Sequence, residues 1–150
     1  MSDAAHLRTA IQRLSRAFGL LRDDVTPCGV DLPIVQAHAL MALLDDADPA
    51  GLRVSDLHAQ LQLDMSNVSR LGARMEHAGL VVRGVCPDDA RAVRLVLTPV
   101  GRELAKRVDR RSRARFERLL GAIDPADRAT IVGAVDTLAA AIQKTQVPED

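Results

Sequence analysis

The apolar pattern changes its period at Gly79, and that change constrains the fold more than any other feature. Before it, Val68, Leu71 and Met75 recur at helical spacing, with Ser66, Asn67, Arg70, Ala73, Arg74 and His77 on the opposite face. After it, Leu80–Val85 and Ala92–Leu97 are short β-branched runs around the turn-rich tip Cys86-Pro87-Asp88-Asp89-Ala90-Arg91, which reads as a hairpin. Upstream, Ser55 can cap a helix that turns Leu57 and Leu61 inward, and Asp64 can cap the next, which ends at His77 or Ala78 with Gly79 in the left-handed region. A tight helix pair followed at once by a small hairpin is the chain order of a winged helix-turn-helix.

The flanks are helical. Leu7, Ile11, Leu14, Phe18 and Leu21 form a narrow stripe over 4–23, ended by Asp23-Asp24 and Thr26-Pro27-Cys28-Gly29. A second helix starts near Pro33, with Asp31 as a possible cap, and runs through Ile34, Ala37, Leu40, Met41 and Leu44 to a loop at 45–51. Thr98 and Pro99 open a long helix through Leu104, Val108 and Phe116 to about Leu120. Asp124-Pro125 opens the last, with Ile131, Val135, Leu138 and Ile142 at heptad spacing, before a frayed tail from Gln146 to Asp150. The terminal stripes are too long to be buried on so small a winged module, so they are expected to pair with one another and with a second subunit. The expected fold is therefore mainly α (α+β): a winged helix-turn-helix over 33–98 with a two-stranded β-hairpin wing, and a helical dimerisation region over 1–32 and 99–150.

Composition narrows the function. Aromatic residues are 1% of the chain, so the core must be aliphatic and no stacking platform for single-stranded nucleic acid is available. The net charge is zero, but residues 98–120 carry a net +5 while 1–50 and 121–150 each carry −3. Cys28 and Cys86 form no CxxC pair, and the four histidines lack metal-ligand spacing, so neither cofactor nor metal is expected. No apolar run approaches the ~20 residues of a membrane span and no signal-peptide core is evident, so the expected compartment is the cytoplasm. No GxSxG, GxGxxG or P-loop occurs, and the chain is expected not to be an enzyme.

From Leu52 to about Arg107 the sequence resembles the MarR (multiple antibiotic resistance regulator) family. The resemblance rests on four motifs in order: Met65-Ser66-Asn67-Val68-Ser69-Arg70-Leu71, Met75-Glu76-His77-Ala78-Gly79-Leu80, Asp89-Ala90-Arg91, and Leu97-Thr98-Pro99-Val100-Gly101. Met75 stands where that family usually has Leu. The resemblance implies a homodimer on a double-stranded, pseudo-palindromic operator. It also implies repression relieved by a small-molecule effector or by thiol oxidation.

Ser66, Asn67 and Ser69 are candidates to meet base edges or phosphates, Asn67 reading adenine in bidentate fashion, with Arg70 and Arg74 reaching guanine or backbone. Arg91 suits a narrow minor groove, with Asp89 holding its turn. Arg83 and Arg94 lie on the strands; phosphate contact is favoured over mere cover of the sheet. The plain alternative for each is an ordinary solvated face, as for the basic run from Arg102 to Arg118. Arg16, Phe18, Arg22, His38 and Met41 are the candidate effector contacts, between helical frame and winged module. Cys28 and Cys86 are the candidate redox positions, with a buried or idle thiol as the alternative. The competing functions are a thiol-redox-responsive regulator and a winged-helix protein-interaction module without specific DNA binding.

Overall fold

Gly19 ends the first helix. It adopts φ 87°, and its N–H donates to the carbonyls of Ser15 and Arg16 while Leu20 N–H also returns to Ser15, so α1 covers Asp3–Phe18. The helix is thus shorter than the 4–23 expected from its apolar stripe: a glycine in the C′ position closes the helix although the stripe continues to Leu21. The computed structural model describes residues 2–46 and 48–146; residues 147–150 of the tail expected from Gln146 to Asp150, and Ala47 of the expected loop, lie outside them.

The remaining elements are α2 (Ile34–Asp45), β1 (Leu52–Arg53), α3 (Val54–Leu61), α4 (Met65–His77), β2 (Val81–Cys86), β3 (Asp89–Leu97), α5 (Pro99–Gly121) and α6 (Pro125–Gln146). Pro33, not Asp31, occupies the cap position of α2. The wing is a three-stranded antiparallel sheet in the order β1-β3-β2, rather than a hairpin alone. The added strand is only two residues long, with Leu52 opposite Leu95 and Arg53 opposite Arg94, too short for alternation to reveal. Pairing of Arg53 with β3 also sets the start of α3 at Val54, so Ser55 lies inside that helix instead of capping it.

The described chain divides into two compact units, Met1–Ser112 and Arg113–Asp150, with the division inside α5. The core of the first is aliphatic, as the composition requires: Leu40, Leu57, Val68, Leu71, Met75, Leu95 and Val108 are fully buried. Those side chains come from α2, α3, α4, β3 and α5, so the apolar faces read from periodicity meet in one cluster. Helix α1 buries no residue, and its Leu7 and Leu14 are exposed. In the second unit, Ile131, Val132, Val135 and Ile142 of α6 are exposed as well.

Thr98 and Gly101 fasten α5 to the end of α4. The Thr98 hydroxyl donates to the Gly79 carbonyl at 2.7 Å and accepts the Gly101 N–H at 3.0 Å, while Thr98 N–H donates to Leu80 O at 3.0 Å. The Gly-Leu and Leu-Thr-x-x-Gly motifs, about 20 residues apart in sequence, are therefore two halves of one joint.

Candidate nucleic-acid interface

Helices α3 and α4 are joined by a three-residue turn in which Gln62 adopts φ 53°, a left-handed conformation uncommon for a side chain of this kind. The His58 ring Nδ1 is hydrogen-bonded to the Leu63 carbonyl across the same turn. Val68, Leu71, Gly72 and Met75 bury one face of α4 against the core. Ser66, Asn67, Ser69, Arg70, Ala73, Arg74 and His77 are all exposed, as the helical wheel requires.

Asp64 occupies the N-cap position of α4 but makes no side-chain cap bond. Its carboxylate instead accepts from Asn67 Nδ2 at 3.5 Å, and Asn67 Oδ1 accepts from Arg70 Nη2 at 2.6 Å. The carboxylate expected to cap α4 is thus the root of a relay that orients Asn67 and Arg70 along the exposed face.

The wing tip is irregular. Val85 pairs with Val93, but Cys86 pairs with Asp89, so Ala90, Arg91 and Ala92 bulge from β3. Asp89 Oδ1 accepts the Arg91 N–H at 3.0 Å, which folds the tip back on itself and leaves the Arg91 side chain exposed. Between the tip and the helices lies a cleft of about 270 Å³, lined by Ser55, Met65, Ser69, Arg83, Arg91 and Val93. Arg83 also directs Nη2 toward the Ser69 carbonyl at 3.5 Å, so two basic groups and two hydroxyls meet there.

Arg94, a candidate phosphate contact, is hydrogen-bonded within the protein. Nη1 donates to Asp48 Oδ2 and to the Gly51 carbonyl, each at 2.6 Å, and Nε donates to Cys86 Sγ at 3.2 Å. Its side chain is only 13% exposed, so the guanidinium serves the protein itself. The Ala50 N–H and then Arg94 hold the Asp48 carboxyl below the usual carboxylate range, and the bond to Asp48 in turn raises Arg94. Arg53 Nη2 reaches Asp88 Oδ2 at 2.6 Å, a second tie onto the wing. Sequence reasoning missed Asp48, Arg53 and Asp88 as wing supports, because no local spacing rule links residues 35 or 46 positions apart. An aspartate at a loop and an arginine on a strand give no signal until the topology is known.

The five candidate effector residues are not gathered into one of the described cavities. His38 lines a cleft of about 330 Å³ with Val35, Leu61 and Leu63, Met41 packs against the core, and Arg22 approaches Asp24 at 3.8 Å outside any helix. Arg16 and Phe18 lie in the last turn of α1, which ends before Arg22. A larger open groove of about 620 Å³ runs along α5, with Val100 and Leu104 beside Arg107 and Arg110. Farther on, Lys106 pairs with Glu103 at 3.1 Å and Arg111 donates to the Gly29 carbonyl, so part of the basic run is engaged within the fold.

Cys86 is buried beneath Arg94, and Cys28 is half-buried with its sulfur 3.1 Å from the Thr26 hydroxyl; both are free thiols. Among the described residues, no three metal-ligating side chains come together, and no helix is long and apolar enough to cross a membrane.

A family model for the MarR family matches residues 30–92, from the turn before α2 to the wing tip. Over that span, less than half of the chain, the sequence is similar to the MarR family. The chain is 32% identical over 84 residues to the "Uncharacterized HTH-type transcriptional regulator YxaD" of Bacillus subtilis, covering 56% of this chain. The match spans 57% of that relative, little more than half its length. Among solved structures, the fold resembles AbsC of Streptomyces coelicolor, a MarR family transcriptional regulator, at 24% identity and a TM-score of 0.76, covering 96% of this chain and 97% of that one. It also resembles BpsR of Bordetella bronchiseptica, whose DNA binding is regulated by 6-hydroxynicotinic acid, at 25% identity and a TM-score of 0.69, covering 92% and 93%. The similarity of fold spans nearly the whole chain, whereas the match to the family model is confined to residues 30–92.

Proposed function

We propose that this chain is a sequence-specific, DNA-binding transcription regulator that works as a homodimer on a pseudo-palindromic operator. It acts as a repressor released by a small-molecule effector. One observation carries the reading: the exposed face of α4, with Asn67 and Arg70 already hydrogen-bonded to each other, stands beside a wing whose Asp89-held bulge presents Arg91. That arrangement suits a helix in the major groove and an arginine in the adjacent minor groove. Ser66, Ser69 and Arg74 complete the helical face, and Arg83 borders the cleft where a phosphate would pass.

The exposed apolar residues of α1 and of α6 supply surfaces for a second copy, in agreement with a dimerisation region at 1–32 and 99–150. The regulation of BpsR by 6-hydroxynicotinic acid supports an effector for this chain too. The α5 groove is apolar, with Arg107, Arg110 and the Lys106-paired Glu103 among its lining, and its excess of basic groups suits a small organic anion.

The test is selection of duplexes from a random-sequence pool by the purified protein, followed by anisotropy titrations across salt. The expected result is an enriched inverted repeat, bound with a steep negative log–log salt slope. Arg70→Ala should relax base preference, and Arg91→Ala should weaken binding, each by about 1–3 kcal/mol, in a protein that remains dimeric. Failure to enrich any sequence would refute the regulator reading. With a selected duplex in hand, 6-hydroxynicotinic acid and other small aromatic carboxylates are the first probes of release.

A further inference from the structure

We infer that Arg94 and Asp48 form a positioning clip for the wing, through which the loop after α2 governs DNA affinity without touching DNA. The inference rests on the proposed DNA-binding function, but on separate observations. Arg94 lies near the middle of β3, opposite Arg53 of β1 and Gly84 of β2. Three of the five guanidinium donors are committed inside the protein: Nε to Cys86 Sγ, and two on Nη1 to Asp48 and Gly51. Its side chain is 13% exposed, whereas that of its partner Asp48 is 45% exposed. The ion pair is therefore an arm reaching out from the sheet to hold a surface loop.

Each end of the clip is anchored. On the loop side, Asp48 Oδ1 accepts the Ala50 N–H at 2.9 Å, closing a turn that delivers Gly51 to the sheet. Gly51 has φ 87°, and a Cβ there would lie 2.3 Å from the Leu95 carbonyl oxygen, so the loop backbone rests directly on β3. On the wing side, Cys86 is the last residue of β2 and faces Asp89 across the turn. Asp89 in turn holds the Arg91 N–H at 3.0 Å. Arg94 thus bridges the loop after α2 to the base of the bulge that presents Arg91. Charge-assisted bonds of this kind fix direction as well as distance.

The clip makes a prediction opposite to that of simple electrostatics. Removing the negative charge of Asp48 near a DNA-binding surface should strengthen phosphate attraction. If Asp48 instead holds the wing through Arg94, Asp48→Asn must weaken binding.

The test uses full-length Asp48→Asn, Arg94→Gln, the double variant and Arg94→Lys, on a duplex enriched by selection with the wild-type protein. Asp48 lies on an exposed loop, so Asp48→Asn removes the clip without opening the core and keeps the test decisive if an Arg94 variant folds poorly. The expected result is that each single variant binds about tenfold more weakly and that the double variant is no worse than either. Arg94→Lys should fail to restore affinity, since a single ammonium cannot span three acceptors. The log–log salt slope should stay at its wild-type value. Hydrogen exchange should quicken at the β2–β3 tip and not in α4. Unchanged or tighter binding by Asp48→Asn would overturn the clip. So would a slope reduced by about 1 in Arg94→Gln, the mark of a lost phosphate contact. Failure of the wild type to enrich any duplex would count instead against the DNA-binding reading itself.

Discussion

Gly101 and Leu80 approach so closely that no side chain fits between them: a Cβ on Gly101 would lie 1.8 Å from the Leu80 carbonyl oxygen. The first turn of α5 is therefore seated on the backbone that leads from α4 into the wing. Gly101→Ala must move either the helix or the strand. It should destabilise the protein by about 1–3 kcal/mol or more, read as a lowered midpoint in urea. A variant of wild-type stability would mean that α5 is not seated there.

Thr98 gives the same joint its polar half. Thr98→Val keeps the shape but loses the bond to the Gly79 carbonyl and the cap on Gly101 N–H. The expected cost is about 1–2 kcal/mol in thermal or urea unfolding, and Thr98→Ser should recover most of it.

Met75 and Met65 lie at opposite ends of α4 and at opposite extremes of burial: Met75 is fully buried and Met65 is 45% exposed. Met75→Ala should cost about 2–5 kcal/mol, while Met65→Ala should stay within about 0.5 kcal/mol. Equal losses at the two positions would contradict the orientation of α4 and with it the face assigned to DNA.

Much of this architecture was legible in the sequence because the deciding signals are local. The exposed face of α4 follows from the intervals between Val68, Leu71 and Met75, and the hairpin follows from two β-branched runs around a polar tip. Gly79 marked the end of α4 correctly, with φ 71°. Gly19 likewise ends α1, although the apolar stripe that continues to Leu21 points to a longer helix. What escaped was non-local. The strand at Leu52–Arg53 exists because β3 is there to pair with it, and Ser55 is not a cap because that pairing brings α3 forward to Val54. Arg94 shows the same limit at the candidate site. A basic residue on a wing strand reads as a phosphate contact until the loop carrying Asp48 is folded against it.

Cys86 offers a chemical report on the wing. It is 3% exposed beneath Arg94, whereas Cys28 is half-buried in a turn between α1 and α2. An aromatic disulfide reagent should therefore label Cys28 first and Cys86 only when the wing opens. Asp48→Asn should speed labelling of Cys86 and leave Cys28 unchanged; equal labelling of both thiols in the wild type would place Cys86 outside the core of the wing.

The acid response of the wing follows from the sign of the Asp48 shift. Its carboxyl is held below the usual range, first by the Ala50 N–H and then by the Arg94 side chain, so the folded state favours the charged form. A depressed carboxyl contributes stability that is fully present above its unfolded value and is lost only as the pH falls through the lower, folded one. The clip should accordingly hold throughout the neutral and mildly acidic range and release only in strong acid. Every other group that bears on a direct pH profile of DNA binding is common to wild type and Asp48→Asn. The ratio of the two affinities isolates the clip, and it should stay flat between about pH 8 and about pH 5. A ratio that collapsed toward unity across that interval would show Asp48 taking up its proton there, and the ion pair with Arg94 would then not be the fastening of the wing.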